Sequence, residues 1–298
     1  MNLNRLISKP KPLNQYPEAI DRIKALQALE DESILPKSKS QLFTHGYKTR
    51  RVIVWFHGYT NSPAQFEQLG QLCFDQGDNV YIPRTPYHGL KDRLTLLTGK
   101  LTAEILIEFA DSTIDIAGGL GESIIVGGLS MGGVITAWLA QQRQDVARAV
   151  VISPAFGTKT IPTSMIRPIT EALLIVPNTF RWWDPDSMDF TSEPLHAYPR
   201  YSTRGLAQIF RLGFAVQTMA RLGEPNAGSI WMVTNANDSS VNNEIADQIC
   251  QYWRENASQS VHAYTFGANL NLGHDLIDPL QPNQKVDLVY PVLLDIMK

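Results

Sequence analysis

Six short apolar runs, rich in β-branched residues and each too brief for a helix, recur along the chain with helical stretches between them. They are Val52–Phe56, Asn79–Pro83, Ser123–Gly127, Ala149–Ile152, Ser229–Thr234 and Val261–Phe266. Apolar residues at helical spacing mark the intervals near 63–76, 102–117, 132–143, 241–256 and 284–297. A strand that is apolar on both faces needs cover on both, and parallel neighbours need long crossovers. The alternation therefore predicts an α/β fold, a mostly parallel sheet with helices on both faces.

Two stretches depart from that rhythm. Residues 1–50 hold a helical pattern over Tyr16–Glu30 (Ile20, Ile23, Leu26, Leu29) and a short run Gln41–Thr44 before the turn at His45-Gly46. That run and Arg51–Phe56 read as two adjacent strands leading into the sheet. Residues 155–226 are proline-rich, contain Trp182-Trp183, and show only short helical patterns such as Thr203–Leu222. An insertion of that length between two strands is expected to lie over the carboxyl end of the sheet, where open α/β sheets bind ligands. The predicted organisation is thus 1–50 as a leading segment, 51–154 with 227–298 as the core, and 155–226 as a cap.

Composition narrows the classes of function. With 298 residues, 44% hydrophobic and 18% charged, the chain has ample apolar material for a core. A net charge of −3 with both signs mixed gives no basic stripe, so nucleic acid is not an expected partner. The first eight residues turn polar too early for a signal peptide, and no run of about 18 apolar residues exists to span a membrane. Cys73 and Cys250 both fall within helical patterns outside any C-x-x-C pair, which suggests two buried free thiols in a reducing cytoplasm.

The chemistry begins at Gly128-Leu129-Ser130-Met131-Gly132, which starts where one strand stops and leads into a helix. Glycine two places either side of a serine, between strand and helix, is the nucleophile elbow: the turn is so tight that larger neighbours would collide. A glycine-rich helix start is the plainer account of the pentapeptide taken alone. Serine needs a base, and in this arrangement an acid and then a histidine follow, each on a loop after a later strand. Asp238, after Ser229–Thr234, occupies the acid's slot, although a helix cap would also place an aspartate there.

His274 is the one histidine both downstream of Asp238 and in a loop after a strand. His262 lies within a strand pattern, His45 and His196 suit solvated or structural positions, and His88 shapes the loop after its strand. For the oxyanion, Gly58 lets the loop after Phe56 turn closely, so the amides of Tyr59 and Met131 are the candidate donors. His57 is read as a brace for that loop.

Together, His57-Gly58, Gly128-x-Ser130-x-Gly132, Asp238-x-x-Val241 and Gly273-His274-Asp275 resemble the α/β-hydrolase superfamily, particularly bacterial carboxylesterases and monoacylglycerol lipases. The resemblance runs from about Arg51 to the C-terminus, apart from residues 155–226. It implies hydrolysis of a small ester or lipid substrate through an acyl-enzyme, with no cofactor. An amidase, peptidase or acyltransferase would use the same residues, and a binding module on the same scaffold would lack one of them. Two departures stand out. One glycine and then Tyr59 replace an HGGG-type loop, implying esters of ordinary primary or secondary alcohols, and Tyr87 stands where many relatives carry glycine. His274, Asp275 and Asp278 do not make a metal motif, and the two aspartates read as helix-start residues or ion-pair partners. Trp182-Trp183 fits an acyl-pocket wall, a lipid contact or packing of the cap.

Overall fold

The computed structural model describes residues 1–186, 194–257, 259–282 and 284–298. Its main sheet is built from β1 (Gln41–Phe43), β2 (Thr49–Phe56), β3 (Asn79–Ile82), β4 (Gly121–Leu129), β5 (Val146–Ile152), β8 (Ile230–Asn235) and β9 (Val261–Phe266). Their spatial order is β1-β3-β2-β4-β5-β8-β9. All pairs are parallel except β1 with β3.

β1 is not beside β2, contrary to the expectation from sequence. The edges of β2 are taken by β3 and β4 in parallel register, so β1 pairs along the remaining edge of β3, Leu42 opposite Tyr81. The chain steps outward from β2 to β3 and then returns to β4. This makes the β2/β4 boundary a topological switch point, where strand-end loops diverge and leave a crevice.

Side chains of a strand alternate between faces, and β2 shows why its run is apolar throughout. Val52, Val54 and Phe56 join one buried cluster, while Ile53 and Trp55 join another. The first is closed by residues of α1 (Tyr16–Ala28), α3 (Ala103–Leu120), α4 (Met131–Gln142) and α7 (Asn243–Ala257). The second is closed by residues of α2 (Glu67–Asp75) and α8 (Val286–Ile296). Cys73 and Cys250 are buried free thiols. Among the described residues no helix is long and apolar enough to cross a membrane.

The leading segment packs into the core. Leu6 is buried, and its carbonyl accepts a hydrogen bond from Trp138 Nε1 at 3.0 Å. The amides of Lys9 and Lys11 donate to Asp111 and Asp115 at 2.7 and 2.9 Å. The same carboxylates, with Asp145, surround the Arg143 guanidinium, which is only 1% exposed. A buried cation left unpaired costs several kcal/mol, about 3–5 when one partner is removed, so the network fixes the arm against α3 and α4.

Between β5 and β8 the chain leaves the sheet to form α5 (Thr163–Ile175), the antiparallel pair β6 (Phe180–Trp182) and β7 (Arg200–Ser202), and α6 (Thr203–Leu222). α6 contacts both α4 below it and α5 beside it.

Candidate active site

Ser130 sits between the end of β4 and the start of α4 with φ 58° and ψ −113°, outside the helical and extended regions. A side chain at Gly132 would place its Cβ 1.9 Å from the Phe56 carbonyl oxygen, and one at Gly128 would meet the Gly132 backbone at 2.4 Å. The two glycines are thus required by the closeness of β2 and of the first turn of α4. Met131 opens α4, so its N–H is one of the helix-start donors without an intrahelical acceptor.

Asp238 lies in the loop after β8 and His274 in the loop after β9. His274 Nδ1 donates to Asp238 Oδ2 at 2.7 Å, which leaves Nε2 as the other ring nitrogen. The second oxygen, Oδ1, accepts the amides of Ser240 and Val241 at 2.9 and 3.1 Å. Asp238 therefore caps its own loop and orients the histidine at once, one oxygen for each role. The cap bond at the start of α7 belongs instead to Asn242, whose Oδ1 accepts the Glu244 amide at 2.9 Å.

Burial pushes the Asp238 carboxyl up, but His274 and the two loop amides outweigh it, and its pKa falls below the usual value. Burial also opposes charge on His274, yet the Asp238 carboxylate, with a smaller contribution from Asp275, raises its pKa.

The Asp238 loop is further tied to the start of the 155–226 segment. Lys159 Nζ donates to the Asp238 carbonyl at 3.0 Å, Thr158 bridges Val241, and the Asn242 amide reaches the Gly157 carbonyl at 3.0 Å. No sequence pattern marked Lys159, because its role depends on a contact across 79 residues.

The loop after β2 approaches the serine from the neighbouring strand: a Cβ built on Gly58 would stand 3.7 Å from Ser130 Cβ. His57 braces it, with Nδ1 donating to the Gly58 carbonyl at 2.9 Å and Nε2 accepting the Thr85 amide at 3.1 Å. Both bonds suit a neutral ring, and burial holds the His57 pKa well below the ordinary value. The Asn61 amide also reaches the Gly58 carbonyl, at 3.2 Å. In a trans peptide the next N–H points opposite that carbonyl, so these two donors fix the direction of the Tyr59 N–H.

Tyr87 occupies the left-handed region at φ 69°, which accounts for glycine being the easier residue there. Asp275 and Asp278 do not start a helix, since α8 begins only at Val286. Asp278 pairs with buried His196 at 2.8 Å, and Asp275 takes amide donors instead. His262 stacks on Trp231 at the sheet surface.

Ser130, His274, Gly58 and Tyr59 line one cavity of about 720 Å³ at the switch point. Its walls include Ile169 and Leu173 of α5 and Leu206, Ile209 and Phe210 of α6. Trp183 also lines it, donating from Nε1 to Thr60 Oγ1 at 2.8 Å and packing on Tyr201 at 4.2 Å between ring centroids. Trp183 thus both walls the cavity and fastens the insertion to the loop after β2.

This sheet, with an elbow serine at the end of its central strand, is the α/β-hydrolase fold. The family described as serine aminopeptidase, S33, matches residues 47–204, just over half of the sequence, and the chain belongs to that family. A thermostable monoacylglycerol lipase of Bacillus sp. (strain H-257) is 28% identical over 123 residues. That match covers 38% of this chain and 44% of the lipase, so the chain spans less than half the length of that relative.

Among solved structures, the Paleococcus ferrophilus monoacylglycerol lipase superposes with a TM-score of 0.65 at 17% identity, covering 87% of this chain and 97% of that one. A metagenome-derived lipolytic enzyme, from work on LipS and LipT, gives 0.64 at 17% identity, covering 89% and 98%. At these identities the superpositions speak to the fold.

Proposed function

We propose that the chain is a serine hydrolase that cleaves carboxylic esters with an apolar acyl group, in the manner of a carboxylesterase or monoacylglycerol lipase. The observation that carries this reading is that Ser130 and His274, the latter bonded to Asp238, line one cavity with an apolar wall from α5 and α6. In the first half-reaction, His274 Nε2 takes the Ser130 hydroxyl proton as Oγ bonds to the ester carbonyl carbon. The amides of Tyr59 and Met131 receive the negative oxygen. The intermediate collapses, the C–O bond to the alcohol breaks, and His274 returns the proton to the departing alcohol. Water then repeats the sequence on the acyl-enzyme and frees Ser130.

The choice of ester over peptide rests on the lining. The α5/α6 wall of Ile169, Leu173, Leu206, Ile209 and Phe210 suits an alkyl chain, each buried CH₂ contributing about 0.8 kcal/mol.

A panel of p-nitrophenyl esters of increasing acyl length, set against aminoacyl p-nitroanilides, tests the reading. We expect kcat/KM to rise from acetate to medium-chain esters and the anilides to turn over far more slowly. Faster hydrolysis of the anilides would reject the ester assignment.

The same reading fixes the sign of one pH effect. Only neutral His274 can accept the serine proton, and its pKa is raised chiefly by Asp238 against the opposing effect of burial. The acid limb of kcat/KM should therefore have its midpoint above about 6.5, the ordinary histidine value. A midpoint below that value, measured with a substrate that does not itself titrate, would contradict the pairing.

A further inference from the structure

Asp275 directly follows His274, yet its side chain reaches the loop after β2. Its Oδ2 accepts hydrogen bonds from Gln65 Nε2 at 2.7 Å, Asn61 Nδ2 at 3.0 Å and Gln281 Nε2 at 3.0 Å. Three N–H donors on one oxygen suit a carboxylate, which is an acceptor on every lone pair. Gln65 is buried, and its Oε1 in turn accepts the Gly58 amide at 2.8 Å. One bonded chain therefore runs from the Gly58 peptide through Gln65 to the residue next to His274.

The two ends of that chain must act on the same reacting carbon. On the proposed mechanism the Tyr59 amide, which follows Gly58, receives the oxyanion while His274 moves the proton, and no strand pairing joins their loops. β2 and β9 stand at different places in the sheet, with β4, β5 and β8 between them. We propose that Gln65 and Asp275 form a clamp that sets the spacing between the Tyr59 amide and His274, so that both are positioning residues for the hydrolysis. This rests on the serine-hydrolase reading above.

The clamp carboxylate also has charged surroundings that a pH measurement would register. Asp278 and His274 both act on it, the first opposing its charge and the second favouring it. Asp278 is held by His196 from the insertion, and Tyr290 of α8 lies close to both aspartates. Burial and then Asp278 push the Asp275 pKa up to about 6, against the Gln65 bond.

The test compares Ser130→Ala, Asp275→Ala, Asp275→Asn, Gln65→Met and the Gln65→Met/Asp275→Ala double variant on a soluble p-nitrophenyl ester, with thermal midpoints recorded. Misplacement by about 1 Å can cost 100-fold, so Asp275→Ala and Gln65→Met should each lose about 10- to 100-fold in kcat with KM within about threefold. Because both remove one connection, the double variant should be little worse than either single one.

Asp275→Asn keeps an oxygen acceptor for the amides and should recover most of the loss. With the charge gone, its acid limb should move to lower pH. Wild-type kcat in Asp275→Ala, or losses that multiply in the double variant, would overturn the clamp. If Asp275→Ala does not fold, wild-type kcat in Gln65→Met overturns it equally. Retained activity in Ser130→Ala would instead overturn the hydrolase reading beneath it, so the two failures are distinguishable.

Discussion

Replacing Ser130 by alanine is expected to lower kcat on an activated ester by about 10⁴- to 10⁶-fold, with residual turnover still above the rate in water. On the proposed mechanism the nucleophile is lost, but the Tyr59 and Met131 amides and the cavity walls remain and should still stabilise the transition state to some degree. The fold should tolerate the change. Ser130 already holds φ 58° and ψ −113°, and alanine must adopt the same angles with a smaller side chain. The measurement is a pair of readings: loss of ester turnover, and loss of covalent labelling by a fluorophosphonate, at an unchanged thermal midpoint. Near-wild-type turnover would sink the assignment of Ser130 as nucleophile.

Asp238→Asn should cost about 10⁴-fold in kcat, a size set by the tautomer of His274 rather than by lost packing. Oδ1 of Asp238 accepts two backbone amides, so an asparagine would keep its carbonyl oxygen there and turn its NH₂ toward His274. Nδ1 would then have to accept, the ring proton would move to Nε2, and the base would have no lone pair for the Ser130 proton. The loss should shrink at high pH, where hydroxide can substitute for the base. A fall in kcat of less than about tenfold at neutral pH would show that Asp238 merely caps its loop.

The contrast between Ser130 and Gln65 shows where legibility ended. Ser130 is announced by its neighbours: Gly128 and Gly132 have no freedom to be larger, because β2 and α4 press on them. Asp238 and His274 follow from chain order, since each parallel strand delivers its loop to the same end of the sheet. Gln65 sits in an unremarkable helix entry, and nothing local says that its two side-chain ends meet Gly58 and a carboxylate 210 residues away. Asp275 is hidden for the same reason. Its local pattern suggests a helix start or an ion pair, whereas its partners are side-chain amides of the β2 loop and of Gln281.

The strand order had a similar limit. The apolar pattern identified β1 and β2 as strands, but which edge β1 would occupy depended on β3 and β4 having already taken both edges of β2. By itself the sequence determined the α/β layering, the elbow at Ser130, and the strand-end loops that carry Asp238 and His274. These are properties of periodicity and sterics within a few residues, or of the order in which loops occur. The tertiary structure alone decided which loops touch: the His274–Asp238 bond, the tie from Lys159 to the acid loop, the α5/α6 wall and the Gln65–Asp275 clamp. The physical reason is distance along the chain. A hydrogen bond depends on a separation of about 3 Å between atoms, which no local pattern encodes once dozens of residues intervene.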